Sequence, residues 1–210
     1  MELDAKTVKK LRDMTGSGMM DCKRALQEAE GDVQKAVDIL RKKGIAKAGA
    51  RSARATEQGR IETYVHLGSR LGVMLELKCE TDFVARNDDF INLARDLCMH
   101  IAAMRPVAVD RESIDPELLE REKNVYRESE DLMSKPENIR EKIVEGRMKK
   151  FYSQNVLMEQ PFVKDEKTTV GDYLKEHVAK FGENLVIGRF VRFELGDETE
   201  SVVSGKQAES

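Results

Sequence analysis

One stretch of the chain decides the fold: Leu71-Gly72-Val73-Met74-Leu75-Glu76-Leu77-Lys78-Cys79-Glu80-Thr81-Asp82-Phe83-Val84-Ala85-Arg86-Asn87. Apolar residues alternate with other residues from Leu71 to Cys79, which is typical of a strand with one buried face. Asn87 is a good helix N-cap, and two aspartates follow it in the first turn. The stretch therefore predicts a strand, a short polar connection and a helix.

The polar connection carries one large aromatic residue, Phe83, next to the acid Asp82. A phenyl ring on a rigid turn between a strand and a helix can insert into another protein. The alternative is that Phe83 folds back onto its own core, because most large apolar residues are buried. The local pattern leaves both interpretations open.

Composition excludes several classes of protein. Charged residues make up 36% of the 210 residues, and the formal net charge of −3 gives no overall nucleic-acid signature. No apolar run reaches 18 residues, and the acidic N-terminus lacks an apolar signal core, so we expect a cytoplasmic protein without membrane contact. Cys22, Cys79 and Cys98 form no CxxC pair and are expected to be buried free thiols.

Motifs that would indicate an enzyme are not found. The sequence has no Gly-rich phosphate loop, HExxH, GxSxG or calcium-binding loop. Gly16-Ser17-Gly18 precedes a predicted helix and could hold an anion. It follows a helix rather than a strand, however, so a helix–helix turn is the simpler interpretation. We therefore expect a protein that is not an enzyme and has no cofactor or metal.

The chain divides into four predicted parts. Residues 1–44 predict three short helices over about 4–14, 19–30 and 32–44, with Gly31 and Gly44 as stops. Residues 45–59 form a basic linker, in which a solvated helix is favoured over an RNA-binding patch because no aromatic residue interleaves the charges. Residues 60–196 predict an α+β core domain, and 197–210 a flexible tail.

Within the core, a small antiparallel sheet is expected beside several helices. Residues 61–65 and the strand from Leu71 predict a hairpin around Gly68-Ser69. Helices are predicted over about 87–104, from Pro116, from Pro136 to about 151, and over about 170–180. A last strand over 185–195 puts Val191, Phe193 and Leu195 on one face. Antiparallel strands with segregated helices indicate the α+β class.

Four blocks of the chain resemble known sequence motifs. They are Val8-Lys9-Lys10-Leu11-Arg12-Asp13-Met14-Thr15-Gly16-Ser17-Gly18-Met19-Met20-Asp21-Cys22-Lys23-Arg24-Ala25-Leu26, Tyr64-Val65-His66 with Arg70-Leu71-Gly72-Val73, Thr81-Asp82-Phe83-Val84-Ala85-Arg86-Asn87, and Glu145-Gly146-Arg147-Met148-Lys149-Lys150-Phe151 with Gln160-Pro161-Phe162-Val163. Together these blocks resemble the translation elongation factor Ts family, because they appear in that family's order and span about residues 2–196. Long members of the family carry a duplicated core. Because each motif occurs once here, the chain resembles the short form.

The resemblance implies both a fold and a function. The fold is an N-terminal three-helix domain similar to ubiquitin-associated domains, followed by an α+β core. The function is guanine nucleotide exchange on elongation factor Tu, bound in its GDP-loaded and nucleotide-free states. The segment implied to displace the magnesium ion is Thr81, Asp82, Phe83 and Val84, with Phe83 as the intruding ring. The residues implied to contact the partner are Met19, Met20, Tyr64, His66 and Arg70.

Three other functions stay open from the sequence. They are a ubiquitin-like binding module, an RNA-associated ribosomal accessory protein that uses the basic stretch 41–54, and a thiol enzyme with a depressed cysteine pKa. For the family function, one core half per chain predicts a homodimer that restores the second half of the partner contact. The helices from Pro116 and Pro136 could supply its apolar contacts through Leu118, Leu119, Ile139 and Ile143. No direct nucleic-acid partner is expected.

Overall fold

The structure, a computed structural model, describes residues 4–49, 51–197 and 202–205. The helices are α1 Ala5–Thr15, α2 Met19–Glu28, α3 Val33–Gly49, α4 Asp82–Ala85, α5 Asp88–Met104, α6 Pro116–Arg127, α7 Glu130–Met133, α8 Glu137–Asn155 and α9 Val170–Phe181. The strands are β1 Gln58–Val65, β2 Leu71–Cys79, β3 Pro161–Phe162, β4 Asp165–Thr169, β5 Val186–Glu194 and β6 Val202–Ser204. An N-terminal helical cluster followed by helices and a small antiparallel sheet confirms the predicted α+β class.

Three helices do form the N-terminal bundle. The Asp4 side chain caps α1 by accepting a hydrogen bond from the backbone N–H of Lys6, at 3.1 Å, and Gly16 ends the helix in the left-handed conformation at φ +66°. The buried side chains of all three helices form one cluster, which includes Leu11, Leu26 and Leu40. Burial of this apolar stripe is what holds such short helices together.

The predicted stop of the third helix at Gly44 is wrong, because α3 continues to Gly49. Gly44 marks a close helix contact instead: a Cβ at this position would lie 3.0 Å from the Cβ of Ala179 in α9. The predicted linker 45–59 is accordingly helical over its first part, and β1 begins within it at Gln58. A glycine inside a helix costs only about 1 kcal/mol relative to alanine, so a packing contact can offset it.

The main sheet has the strand order β1-β2-β5-β6, and all neighbours are antiparallel. The predicted hairpin joins β1 and β2, and its loop contains Gly68 at φ +87° and Ser69 at φ +54°. The buried face of β2 carries Val73, Leu75, Leu77 and Cys79 and packs against the α5 and α9 side of the main core. These four residues belong to the alternating run that predicted the strand.

One part of the predicted flexible tail is a strand. Val202–Ser204 pairs with β5 as the edge of the sheet, opposite Arg189 to Val191. Residues 198–201 and 206–210 of that tail, together with 1–3 and 50, lie outside the described residues.

A β-bulge decides which face of β5 is buried. The pairing with β2 shifts between Glu76, opposite Arg189, and Leu77, opposite Ile187, so that Gly188 is the extra residue. One extra residue moves every following side chain to the other face of a sheet. Phe190 is therefore buried, whereas Phe193 and Leu195 are exposed on the outer face.

A second apolar cluster lies among α6, α7 and α8. Leu118, Leu119 and Ile143 are partly buried against it, and Ile139 is exposed. Three of the four residues predicted to mediate dimerisation therefore pack within the chain. Among the described residues, no helix is both long and apolar enough to cross a membrane.

Candidate partner-binding surface

Phe83 stands on a one-turn helix, α4, between β2 and α5. Thr81 caps this turn, with its Oγ1 accepting a hydrogen bond from the N–H of Val84 at 3.4 Å. The Phe83 side chain is 84% exposed, whereas Val84 packs against the core and Ala85 is buried. The turn thus anchors itself through Val84 and Ala85 and leaves the ring in solvent, so the interpretation of Phe83 as a core residue is wrong.

Glu183 fixes the Phe83 turn, which comprises residues 80–84, through hydrogen bonds to its carboxylate. One carboxylate oxygen, Oε2, accepts from the backbone N–H groups of Glu80 and Thr81, both at 3.1 Å. The other, Oε1, accepts from Thr81 Oγ1 at 2.6 Å. Sequence reasoning missed Glu183, because it lies about a hundred residues away in the chain and belongs to no local motif.

Met19 and Met20 are exposed at the beginning of α2. This part of the bundle lies near the C-terminal end of α9, and so does the Phe83 turn. A cleft between the bundle and the core is lined by the turn 16–18 on one side and by 179–182 on the other. Lys180 spans this region, because its side chain lies against Gly16 and its Nζ pairs with Asp89 of α5 at 2.7 Å. The fold therefore brings the two predicted contact regions to neighbouring positions.

Tyr64, His66 and Arg70 lie at the opposite end of the sheet. Tyr64 is partly buried, and its Oη is 2.8 Å from His66 Nδ1. His66 and Arg70 are exposed in and beside the hairpin loop. A nine-residue strand such as β2 spans roughly 26 Å, so these residues cannot share one small contact with Phe83.

Comparison with known proteins decides the family. The family model described as Elongation factor TS matches residues 5–197. The chain belongs to the elongation factor Ts family. A relative from Oleidesulfovibrio alaskensis, named elongation factor Ts, is 55% identical over 194 residues, covering 92% of this chain and 98% of the relative. One of the same name from Thermosipho melanesiensis is 50% identical over 195 residues, covering 93% and 100%.

One relative is longer than this chain, which shows that members of the family differ in length. The elongation factor Ts of Synechococcus sp. is 50% identical over 201 residues, which cover 95% of this chain but 71% of the relative. The chain is thus similar in length to the first two relatives. Membership places it among the translation elongation factors and supports nucleotide exchange on elongation factor Tu as its role.

Most of the basic residues in the stretch 41–54 form contacts within this chain. Arg41 pairs with Glu176 and donates to Thr168 Oγ1, and Lys43 pairs with Glu28. Arg51 donates to the Val178 carbonyl, and Arg54 lies 3.5 Å from a Glu80 oxygen. These contacts tie α3 and the connector to the core. They favour a structural role for the stretch over an RNA-binding patch.

Cys79 and Cys98 do not have the properties of reactive thiols. All three cysteines are buried and free. Burial, with the nearby Glu183 charge, raises the pKa of the Cys79 thiol to about 11, and burial with Glu62 raises the pKa of Cys98 to about 12. A nucleophilic thiol needs the opposite shift. In the part of the chain that the structure describes, no group of three or more His, Cys, Asp or Glu residues is placed to hold a metal ion.

Proposed function

We propose that this chain is a guanine nucleotide exchange factor for elongation factor Tu that promotes GDP release by displacing the partner's magnesium ion. The observation that carries the proposal is the exposed Phe83 ring on a turn fixed by hydrogen bonds. An apolar ring of this size on a monomer surface gains free energy by entering a partner, roughly 1.5–3 kcal/mol from area alone.

The mechanism needs no catalytic group on this chain. Magnesium requires near-octahedral oxygen ligands and bridges nucleotide phosphates in GTPases. Phe83 inserts beside the partner's metal-binding loops, with Asp82 as its polar companion, and shifts the ligands that the partner supplies. Asp82 precedes Phe83 in the chain and pairs with Arg86 at 3.3 Å, and both of these charged side chains are exposed. Thr81 and Val84 hold the turn.

Thermodynamic linkage then explains release. An exchange factor binds the nucleotide-free GTPase more tightly than the loaded one, and by reciprocity it weakens nucleotide binding by the same factor. The N-terminal bundle contributes affinity through Met19 and Met20, whose side chains are exposed. Tyr64, His66 and Arg70 form a second contact region at the hairpin end of the sheet. Both proteins act in the cytoplasm.

We also propose that the chain forms a homodimer, in which a second copy covers the outer face of the sheet. That face exposes five apolar side chains, from Ile61, Val65, Met74, Phe193 and Leu195. Gly72 lies between Val65 and Phe193 across the three strands, so the phenyl ring has no large neighbour on β2 at that level. Two-fold pairing would cover the patch on both copies at once.

Release of a fluorescent GDP analogue from elongation factor Tu tests the function. We expect the chain, added at micromolar concentration with excess unlabelled GDP, to accelerate release in proportion to its concentration. Heat-denatured chain is the control for non-specific effects. An unchanged release rate with an active partner would contradict the proposal.

A further inference from the structure

We propose that Glu183 and Asn184, in the loop between α9 and β5, are positioning residues for exchange: they fix the Phe83 turn relative to the core and to the connector from the bundle. The inference rests on the proposed function. Neither residue lies in the segments that resemble known motifs. Both act through the turn rather than on the nucleotide.

Three hydrogen-bond donors of the turn converge on one carboxylate. The N–H groups of Glu80 and Thr81 come directly after β2 ends, where they have left the sheet ladder, and Glu183 supplies their acceptor. Thr81 Oγ1 donates to Glu183 and accepts from the N–H of Val84. A relay therefore runs from Glu183 through Thr81 to Val84, which directly follows Phe83. Hydrogen bonds to an ionised acceptor are roughly twice as strong as neutral ones.

Asn184 connects the same turn to the bundle side. Its backbone N–H donates to Glu80 Oε1 at 2.6 Å. Its side-chain Nδ2 donates to the carbonyls of Ser52 and Arg54, at 3.2 and 2.8 Å, and the residue is buried. Gly182 ends α9 in the left-handed conformation at φ +77°, which directs the next two residues towards the turn and the connector. Glu183 and Asn184 thus connect the Phe83 turn with the connector at residues 52–54, and both segments lie about a hundred residues or more away from them in the sequence.

A fixed turn has a specific advantage for insertion. A mobile ring would lose conformational freedom when it enters the partner, and that loss reduces the gain from binding. A misplaced ring would also reach the metal-binding loops less often in the productive orientation. Loss of Glu183 should therefore loosen the ring while leaving the sheet and its buried face in place.

The chain has no tryptophan, so Phe83→Trp creates a single fluorescent reporter at the ring position. In this background, Glu183→Ala should lower the nanosecond fluorescence anisotropy of the introduced indole. The matched control is Glu166→Ala, which removes an exposed glutamate on β4. Glu183→Gln keeps one acceptor oxygen and should restore part of the anisotropy. Unchanged anisotropy in Glu183→Ala, in a protein with a cooperative melting transition, would overturn the proposal. This measurement needs no partner, so it is readable even if the exchange function fails.

A double-mutant cycle then separates positioning from general stability. In the otherwise natural chain, Glu183→Ala should lower the maximal exchange rate about tenfold, which corresponds to about 1.4 kcal/mol. In a Phe83→Ala background, Glu183→Ala should have almost no further effect, because the group through which it acts is gone. An equal tenfold loss in both backgrounds would show that Glu183 acts elsewhere and would overturn the inference.

Discussion

Gly44 of α3 lies against Ala179 of α9 so closely that a Cβ on the glycine would come within 3.0 Å of the alanine Cβ. Two neighbouring contacts reinforce this helix crossing, from Arg41 to Glu176 and from Arg51 to the Val178 carbonyl. The bundle is therefore docked on the core along α3. The relative placement of Met19, Met20 and Phe83 depends on that docking.

Gly44→Leu should separate α3 from α9. A side chain forced into a close-packed contact costs typically about 1–3 kcal/mol, so we expect a loss of that size in the free energy of unfolding and weaker binding to elongation factor Tu. Denaturant unfolding and an equilibrium binding titration measure the two effects. Gly146→Leu is the matched control, because Gly146 is an exposed helical glycine with no atom near its Cβ position. Equal behaviour of the two variants would contradict the docking role.

Phe83→Ala should lower exchange without lowering stability. Truncation of an interface anchor costs about 2 kcal/mol or more, which corresponds to roughly a 30-fold loss in rate. The melting temperature should stay unchanged, because the ring makes little contact with the core. Val125→Ala, an exposed apolar residue on α6, controls for loss of surface hydrophobicity. A melting loss equivalent to about 3–5 kcal/mol would instead indicate a buried ring.

The magnesium step has its own test with the same variant. If Phe83 acts by shifting the metal ligands, chelating magnesium with EDTA should remove most of the difference between Phe83→Ala and the natural chain. A difference of the same size with and without magnesium would show that the ring contributes only to binding.

Stability should fall as the solution becomes acidic, because His100 is buried in its neutral form. Its Nδ1 accepts from the N–H of Val163 at 3.2 Å, and its Nε2 lies 2.9 Å from Gln160 Oε1. Burial lowers the pKa of His100 below its ordinary value of 6.5. Below pH 6.5 the unfolded chain therefore binds the proton first, and the stabilisation present above 6.5 is lost progressively as the pH falls towards the folded-state pKa.

Urea unfolding between pH 7.5 and 5 measures that loss, whose slope for one proton is at most about 1.4 kcal/mol per pH unit. His100→Gln should be less stable at pH 7.5 but should lose less on acidification. A variant whose pH dependence equals that of the natural chain would show that other groups cause the loss.

Phe193→Ser should shift the chain from dimer to monomer. The ring is exposed on the outer face of the sheet, where its apolar surface would be covered by the second copy. Light scattering near 10 µM, an order-of-magnitude choice for micromolar affinity, should give about twice the chain mass for the natural protein and one chain mass for the variant. Met133→Ser, an exposed residue of α7 away from the sheet, should remain dimeric. A monomeric natural chain with full exchange activity would reject pairing.

Local sequence patterns correctly predicted those helices, strands and turns that depend on residues close together in the chain. The alternation from Leu71 to Cys79 gave β2 its buried face, Asn87 capped α5, and the Gly68-Ser69 pair formed the hairpin loop. Periodicity and caps act over a few residues, so they can be read along the chain. The family was also recognisable, because its motifs are short stretches of neighbouring residues.

Only the tertiary structure shows the contacts between residues that are far apart in the sequence. Gly44 resembles a helix stop until Ala179 packs against it, and Phe83 could be core or surface until Val84 and Ala85 take the inner positions of the turn. Glu183 belongs to no motif, and its hydrogen bonds to the Phe83 turn form only because α9 ends beside β2. The sequence by itself thus determined most of the larger helices and strands, and the family. The fold decided which side chains are free to meet a partner, because burial and hydrogen bonding between segments about a hundred residues apart exist only in three dimensions.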